Sequence, residues 1–272
     1  MNGVNTIFTL GRKIDFSYKT NTYILLIVVT AFISKGLIRG DVISGLTLAG
    51  TAFVTWALAR EVDPAHDYSA FVAVAIAVIF MLTNRAVQFL PLFWILMMCR
   101  AVSGITGKKL TWLDFLTLLT LTVALALNQE NSIYYLISVI AMALIWKTGD
   151  KNKWVIASGI IYLGLYIYQS LFASELTFHI LVDATLLNYV SLILLILLIP
   201  LFRSLSKVPV QDDQGNPADS SRIFSSQLLF LLFTVLSALF TPVVLGNEFI
   251  SLSVIVGVAN YYLSKNLLLH RK

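Results

Sequence analysis

Ser191–Phe202 reads SLILLILLIPLF and Phe71–Phe80 reads FVAVAIAVIF. Neither run alternates apolar and polar residues, as a membrane barrel strand must when one face meets lipid and the other the lumen. Helices and closed barrels are the two structures that satisfy the backbone in lipid, so each run reads as a helix. The rest of the chain agrees. It is 58% hydrophobic and 12% charged over 272 residues, with a mean hydropathy of +0.85. A typical soluble domain is about 45–50% apolar and about 25% charged. There is too little polar surface to cover a globule of this size. In lipid every backbone group must find its partner internally, and helices do so within one segment. The expected fold class is therefore all-α, a polytopic integral membrane protein whose immediate partner is the lipid bilayer.

Crossing a hydrocarbon core of about 30 Å takes about 20 helical residues. On that length the chain is expected to form ten helices, near 21–38, 42–60, 65–83, 86–105, 112–128, 132–147, 154–172, 177–202, 227–244 and 249–266, as a single transmembrane domain over 1–272. The one long connection, Arg203–Ser226, reads RSLSKVPVQDDQGNPADSSRIFSS. Its Pro, Gly, Asp and Ser content predicts a flexible cytoplasmic loop.

The formal charge of +5 would suggest nucleic acid in a soluble protein, but its distribution gives it another meaning. With the N-terminus inside, cytoplasmic segments hold Arg12, Lys13, Lys19, Arg60, Arg100, Lys108, Lys109, Lys147, Lys151, Lys153, Arg203, Lys207, Arg222, Lys265, Arg271 and Lys272. That is 16 of the 19 basic residues, leaving Lys35, Arg39 and Arg85 outside. This is the Lys and Arg bias of cytoplasmic loops. It predicts a cell-membrane protein with both termini cytoplasmic, and no nucleic-acid partner. The first nineteen residues lack the basic, apolar and small-residue order of a removable signal, so the first helix is expected to serve as its own insertion signal. The single cysteine, Cys99, rules out an intramolecular disulfide and a paired thiol metal site. GxxxxGK[ST], HExxH, CxxC and GxSxG are absent, and no catalytic residue, metal or cofactor is assigned.

Gly107–Leu116, GKKLTWLDFL, opens the fifth helix and Gly246–Ile255, GNEFISLSVI, opens the tenth. They share the glycine and a leucine, one lying inside and the other outside, as two inverted five-helix halves require. The arrangement resembles that of the ten-helix drug/metabolite transporter superfamily, in which a glycine and polar pair precedes the last helix of each half. The likeness covers about twenty residues and implies a transporter architecture.

Polar residues within so apolar a chain are the candidates for function. Arg60–Asp67, REVDPAHD, lies between helices 2 and 3. Asp63 before Pro64 is expected to cap helix 3, with Asp67 in its first turn. Glu61, Asp63 and Asp67 could instead hold a cation or a basic group, with His66 titrating beside them. Arg100, near the end of helix 4, either snorkels to the interface or pairs with this turn or with Asp114. Thr111 and Asp114 resemble a capping box. Ser44, Thr47, Thr51 and Thr55 share a face of helix 2 and suit close packing or a hydrophilic track. On helix 7, Ser158, Tyr162, Tyr166 and Gln169 share a side, and a buried phenol needs a partner. Glu175, His179 and Asp183 form a stripe at steps of four, suited to proton relay or to part of a cation site.

These features favour a transporter-like protein for a small-molecule substrate, with a cavity lined by helices 2, 4, 7 and 8 and coupling to protons through His179 and Asp183. A membrane enzyme acting on a lipid or isoprenoid head group through Glu61, Asp63, Asp67 and Arg100, and a noncatalytic membrane subunit, are the alternatives.

Overall fold

The structure is a computed structural model. It describes residues 8–12, 16, 18–82, 86–172, 186–240 and 245–269. Among these residues the chain is all-helical, with α1 Lys19–Arg39, α2 Val42–Val62, α3 Ser69–Met81, α4 Phe89–Ser103, α5 Trp112–Asn128, α6 Ile133–Lys147, α7 Lys153–Phe172, α8 Leu186–Leu205, α9 Ser220–Phe240 and α10 Leu245–Leu269. Four of them, α1, α2, α7 and α9, are both long and apolar enough to cross a membrane. At 1.5 Å per residue the 20 residues of α7 reach about 30 Å, the thickness of a hydrocarbon core. Large apolar side chains stand exposed along α1 and α7, among them Leu26, Ile33, Ile160 and Leu171. Such surface is compatible with lipid and ill suited to water.

Hydroxyl groups inside these helices follow from the same surroundings. An unbonded hydroxyl in an apolar medium is costly, so it bonds the carbonyl one turn back. Thr47, Thr51, Thr117 and Thr234 all donate to residue i−4 at 2.8–2.9 Å.

The chain gathers into two compact units. The first comprises Met1–Lys13, Met97–Tyr189 and Pro209–Thr241; the second comprises Ile14–Leu96, Val190–Val208 and Pro242–Lys272. In the second unit α1, α2 and α3 pack in sequence around Ile24, Ala52 and Val74, and around Ala31, Leu48 and Met81. Asp41 caps α2, accepting from the amides of Ile43 and Ser44 and from the Ser44 hydroxyl. Lys35 is buried, and its Nζ donates to the Met81 carbonyl at 2.6 Å. The cation thereby satisfies a carbonyl at the negative end of α3. Helix α10 lies against α2 and α3, so close at Gly257 that a Cβ there would come within 2.5 Å of the Ala73 backbone.

In the first unit α6 packs on α5, α7 and α9. The capping box at the start of α5 is present, and the buried Asp114 carboxylate also accepts from Thr9. One oxygen takes the Thr9 amide at 2.7 Å. The other takes the Thr111 amide and the hydroxyls of Thr9 and Thr111 at 2.7–2.8 Å. Arg222, in the first turn of α9, donates to the carbonyls of Ala101 and Val102 at 3.0 Å and so closes the end of α4. Gly104 has φ +63, and a Cβ there would meet the guanidinium at 2.5 Å.

The connection expected over 203–226 is shorter than that expectation. Helix α8 runs on to Leu205 and α9 begins at Ser220. Between them, Gln211 and Pro217 form an isolated antiparallel bridge, and Asp212 accepts from the amides of Gln214 and Asn216. The Asp213 amide donates to the Ile105 carbonyl at 2.9 Å, and its carboxylate takes Arg12 side-on at 2.6 and 2.9 Å. Asp and Asn side chains that mimic backbone turns account for the compactness of so polar a segment.

Candidate functional site

Helix α2 ends because Pro64 follows it. A residue before proline is driven out of the helical region, and Asp63 sits at φ −129, ψ 77. Its amide still bonds the Ala59 carbonyl at 2.8 Å, so Asp63 closes α2. This corrects the expectation that it opens α3. That helix starts at Ser69 after Tyr68, with no side-chain cap, and Asp67 precedes it. The reason lies in the turn itself. The Ser69 amide and hydroxyl both donate to the His66 carbonyl, which turns the imidazole back over Asp63. Nδ1 of His66 lies 3.0 and 3.2 Å from the two carboxylate oxygens. Arg60 and Asp67 form an ion pair across the same turn.

Glu61, Asp63 and His66 are 2%, 1% and 8% exposed. Three ionisable side chains are thus buried within six residues. Desolvating a charge costs several kcal/mol (order of magnitude) unless a partner offsets it, and the Asp63–His66 contact is such an offset. A carboxylate accepts from the Nδ1–H of the ring it faces, which leaves the other ring nitrogen, Nε2, for a further hydrogen bond. The ring stands 5.8 Å from that of Tyr261 and 6.3 Å from that of Tyr262, both on α10. The Tyr262 hydroxyl is 2.8 Å from Ser204 Oγ on α8. An imidazole held in this way can take up and release a proton at Nε2, or hydrogen-bond a polar solute there. Two turns back on α2, Thr55 is fully buried, yet among the described residues its hydroxyl has no hydrogen-bond partner. This departs from the back-bonding of Thr47 and Thr51 on the same helix, and a buried orphan of this kind calls for an explanation.

Arg100 belongs to the first unit, where its guanidinium donates to the Leu10 carbonyl at 3.3 Å. Tyr162 is fully buried in that unit and Tyr166 is half-buried. Glu175, His179 and Asp183 lie outside the described residues. Among the described residues no three acid, histidine or cysteine side chains are grouped so as to hold a metal ion. Sequence reasoning missed Tyr261, Tyr262 and Ser204. The signal was a pair of adjacent tyrosines inside an apolar helix, but nothing local says which histidine they meet.

No protein family model, no curated protein and no solved structure matches this chain.

Proposed function

We propose that the chain is an integral protein of the cell membrane that crosses the bilayer ten times, keeps both termini cytoplasmic, and carries a small solute with proton coupling at Asp63–His66. The buried Asp63–His66 pair, faced by Tyr261 and Tyr262, is the observation that carries this reading. Ionisable groups buried among apolar helices mark substrate and proton pathways more often than scaffolding. Asp63 fixes the imidazole, Nε2 exchanges the proton, and the two tyrosine rings give the solute an apolar and aromatic wall. The orphaned Thr55 hydroxyl supplies a further polar contact on the same helix. His179 and Asp183 remain a second coupling pair on sequence grounds alone.

Two inverted five-helix halves find support in part of the helix pairing, though among the described residues α3 on α10, α2 on α3, α6 on α9 and α5 on α6 have no such counterpart. Shifting the numbering by five maps α1 on α2 to α6 on α7, and α2 on α10 to α7 on α5. All four pairs pack together. Each half thus lends its last helix to the other half's second helix, as inverted repeats of a transporter would.

The topology is tested by tags at the two ends, which must be labelled from the same face of intact cells or spheroplasts. Labelling from opposite faces overturns an even number of crossings. The activity is tested in proteoliposomes on a solid support, by recording solute-driven currents with amines, sugars, carboxylates and nucleosides as probes. Wild type should give a current with one class. Asp63→Asn and His66→Ala should abolish that current or flatten its pH profile, while the variants still purify as monodisperse protein. A current unchanged in both variants removes the pair from the mechanism. Turnover of a lipid head group in place of any current overturns the transport reading.

A further inference from the structure

The loop between α6 and α7 reads WKTGDKNKW, residues 146–154, with a tryptophan at each end and three lysines between. Trp146 and Trp154 are 39% and 42% exposed, and Lys147, Lys151 and Lys153 are all exposed. Lys153 Nζ stands 5.4 Å from the centre of the Trp154 ring. The one acid of the loop, Asp150, is half-buried while the lysines are exposed. Asn152 joins the loop to the start of α5. Its amide donates to the Leu110 carbonyl at 3.3 Å, and its oxygen accepts from the Trp154 amide at 3.2 Å. This sets the loop beside the segment holding exposed Lys109 and Trp112, the latter 54% exposed. Trp94, by contrast, is fully buried and Trp56 half-buried. The exposed tryptophans therefore gather where α5 begins, α6 ends and α7 begins. Among the described residues none of these lysines forms an ion pair.

We infer that Trp112, Trp146 and Trp154 with Lys147, Lys151 and Lys153 form an interfacial platform that recognises anionic phospholipid head groups. Indole rings settle at the level of the head groups, apolar body toward the acyl chains and N–H toward water. Lysines on either side of them meet the phosphate and any further negative charge of the lipid. Each lysine near an anionic surface contributes about fivefold in affinity. A zwitterionic head group presents the same phosphate next to a cation and gains little. The platform rests on the membrane reading above and is independent of the transport reading.

The test uses the full-length protein in nanodiscs of phosphatidylcholine, doped at equal mole fraction with brominated phosphatidylglycerol or brominated phosphatidylcholine, and reads tryptophan quenching. The anionic quencher should quench more strongly, because it is enriched at the platform. The excess should vanish in Lys147→Gln/Lys151→Gln/Lys153→Gln, persist in the triple Lys→Arg variant, and fall at about 1 M salt, where the Debye length is about 3 Å. Equal quenching by both lipids, or an excess kept by the Gln variant, overturns the inference while leaving the membrane reading intact. Loss of the excess to inorganic phosphate, but not to sodium chloride of equal ionic strength, also overturns it and assigns the lysines to a free anion. Failure of wild type to enter nanodiscs overturns the membrane reading itself.

Discussion

Gly257→Ala should loosen both the α3–α10 contact and the site beside it. A Cβ at Gly257 would lie 2.5 Å from the Cα and N of Ala73, where ordinary contact begins at 3.4 Å. The two helices must therefore part by about 1 Å at their crossing, and overpacking of this kind costs about 1–3 kcal/mol. For a chain of this size 1 kcal/mol corresponds to about 2–4 °C, so a melting temperature several degrees below wild type is expected in detergent. Tyr261 follows Gly257 by one helical turn, so the same displacement should draw its ring away from His66. Labelling of His66 by diethylpyrocarbonate, read by mass spectrometry, should then rise. Ala73→Gly added to Gly257→Ala should not restore the melting temperature, because the closest atoms are backbone. A single variant that melts with wild type and labels no faster would refute the close approach, as would full rescue by Ala73→Gly.

Asp114→Asn should destabilise the first unit by about 1–3 kcal/mol, measured as a fall in melting temperature. The amides of Thr9 and Thr111 bond different carboxylate oxygens, so in either orientation an Asn side chain must set its NH2 against one of these donors. Thr9→Val, which removes only a hydroxyl bond, should cost less. Arg222→Met should leave the carbonyls of Ala101 and Val102 without their donor, at about 2 kcal/mol. Arg222→Lys should recover only part of that, since one ammonium does not match the guanidinium fork. Asp41 has its carboxyl held below the usual aspartate range, first by the Ser44 hydroxyl and then by the amides of Ile43 and Ser44. A depressed carboxylate contributes stability that is present above its unfolded pKa and lost as the pH falls through the folded value. Hydrogen exchange at Ile43 and Ser44 should accordingly accelerate in acid below the usual aspartate range, and Asp41→Asn should remove that dependence.

The helices were legible where apolar runs met clear punctuation. The expected 112–128 coincides with α5, which opens on the Thr111 capping box, and 154–172 differs from α7 by one residue. Legibility failed where polar residues lie inside a helix. Ser220–Ser226 reads SSRIFSS and looks like linker, yet it forms the first two turns of α9, and Asp219 accepts from the Ser221 amide at 2.7 Å. The turn at Arg60–Asp67 could be found by charge density alone, but not its internal pairing. Helix capping and an Asp–His contact compete for the same carboxylate, and local spacing does not decide between them. The basic side chains were harder still. Lys35 and Arg222 each serve the carbonyl end of a helix distant in sequence, and that assignment needs to know which helices are neighbours.

The attachment of Thr9 to Asp114 and of Arg12 to Asp213 spans 105 and 201 residues. At about 5–20 residues per second, ribosomal synthesis delivers the first partner about 5–20 s after Thr9 and the second about 10–40 s after Arg12. The beginning of the chain is therefore made first and seated late. Until α5 has emerged, Thr9 lacks the carboxylate that its amide and hydroxyl bond in the folded chain. The seating of Arg12 is in turn a mark that synthesis has passed Asp213, which a product ending earlier could not acquire.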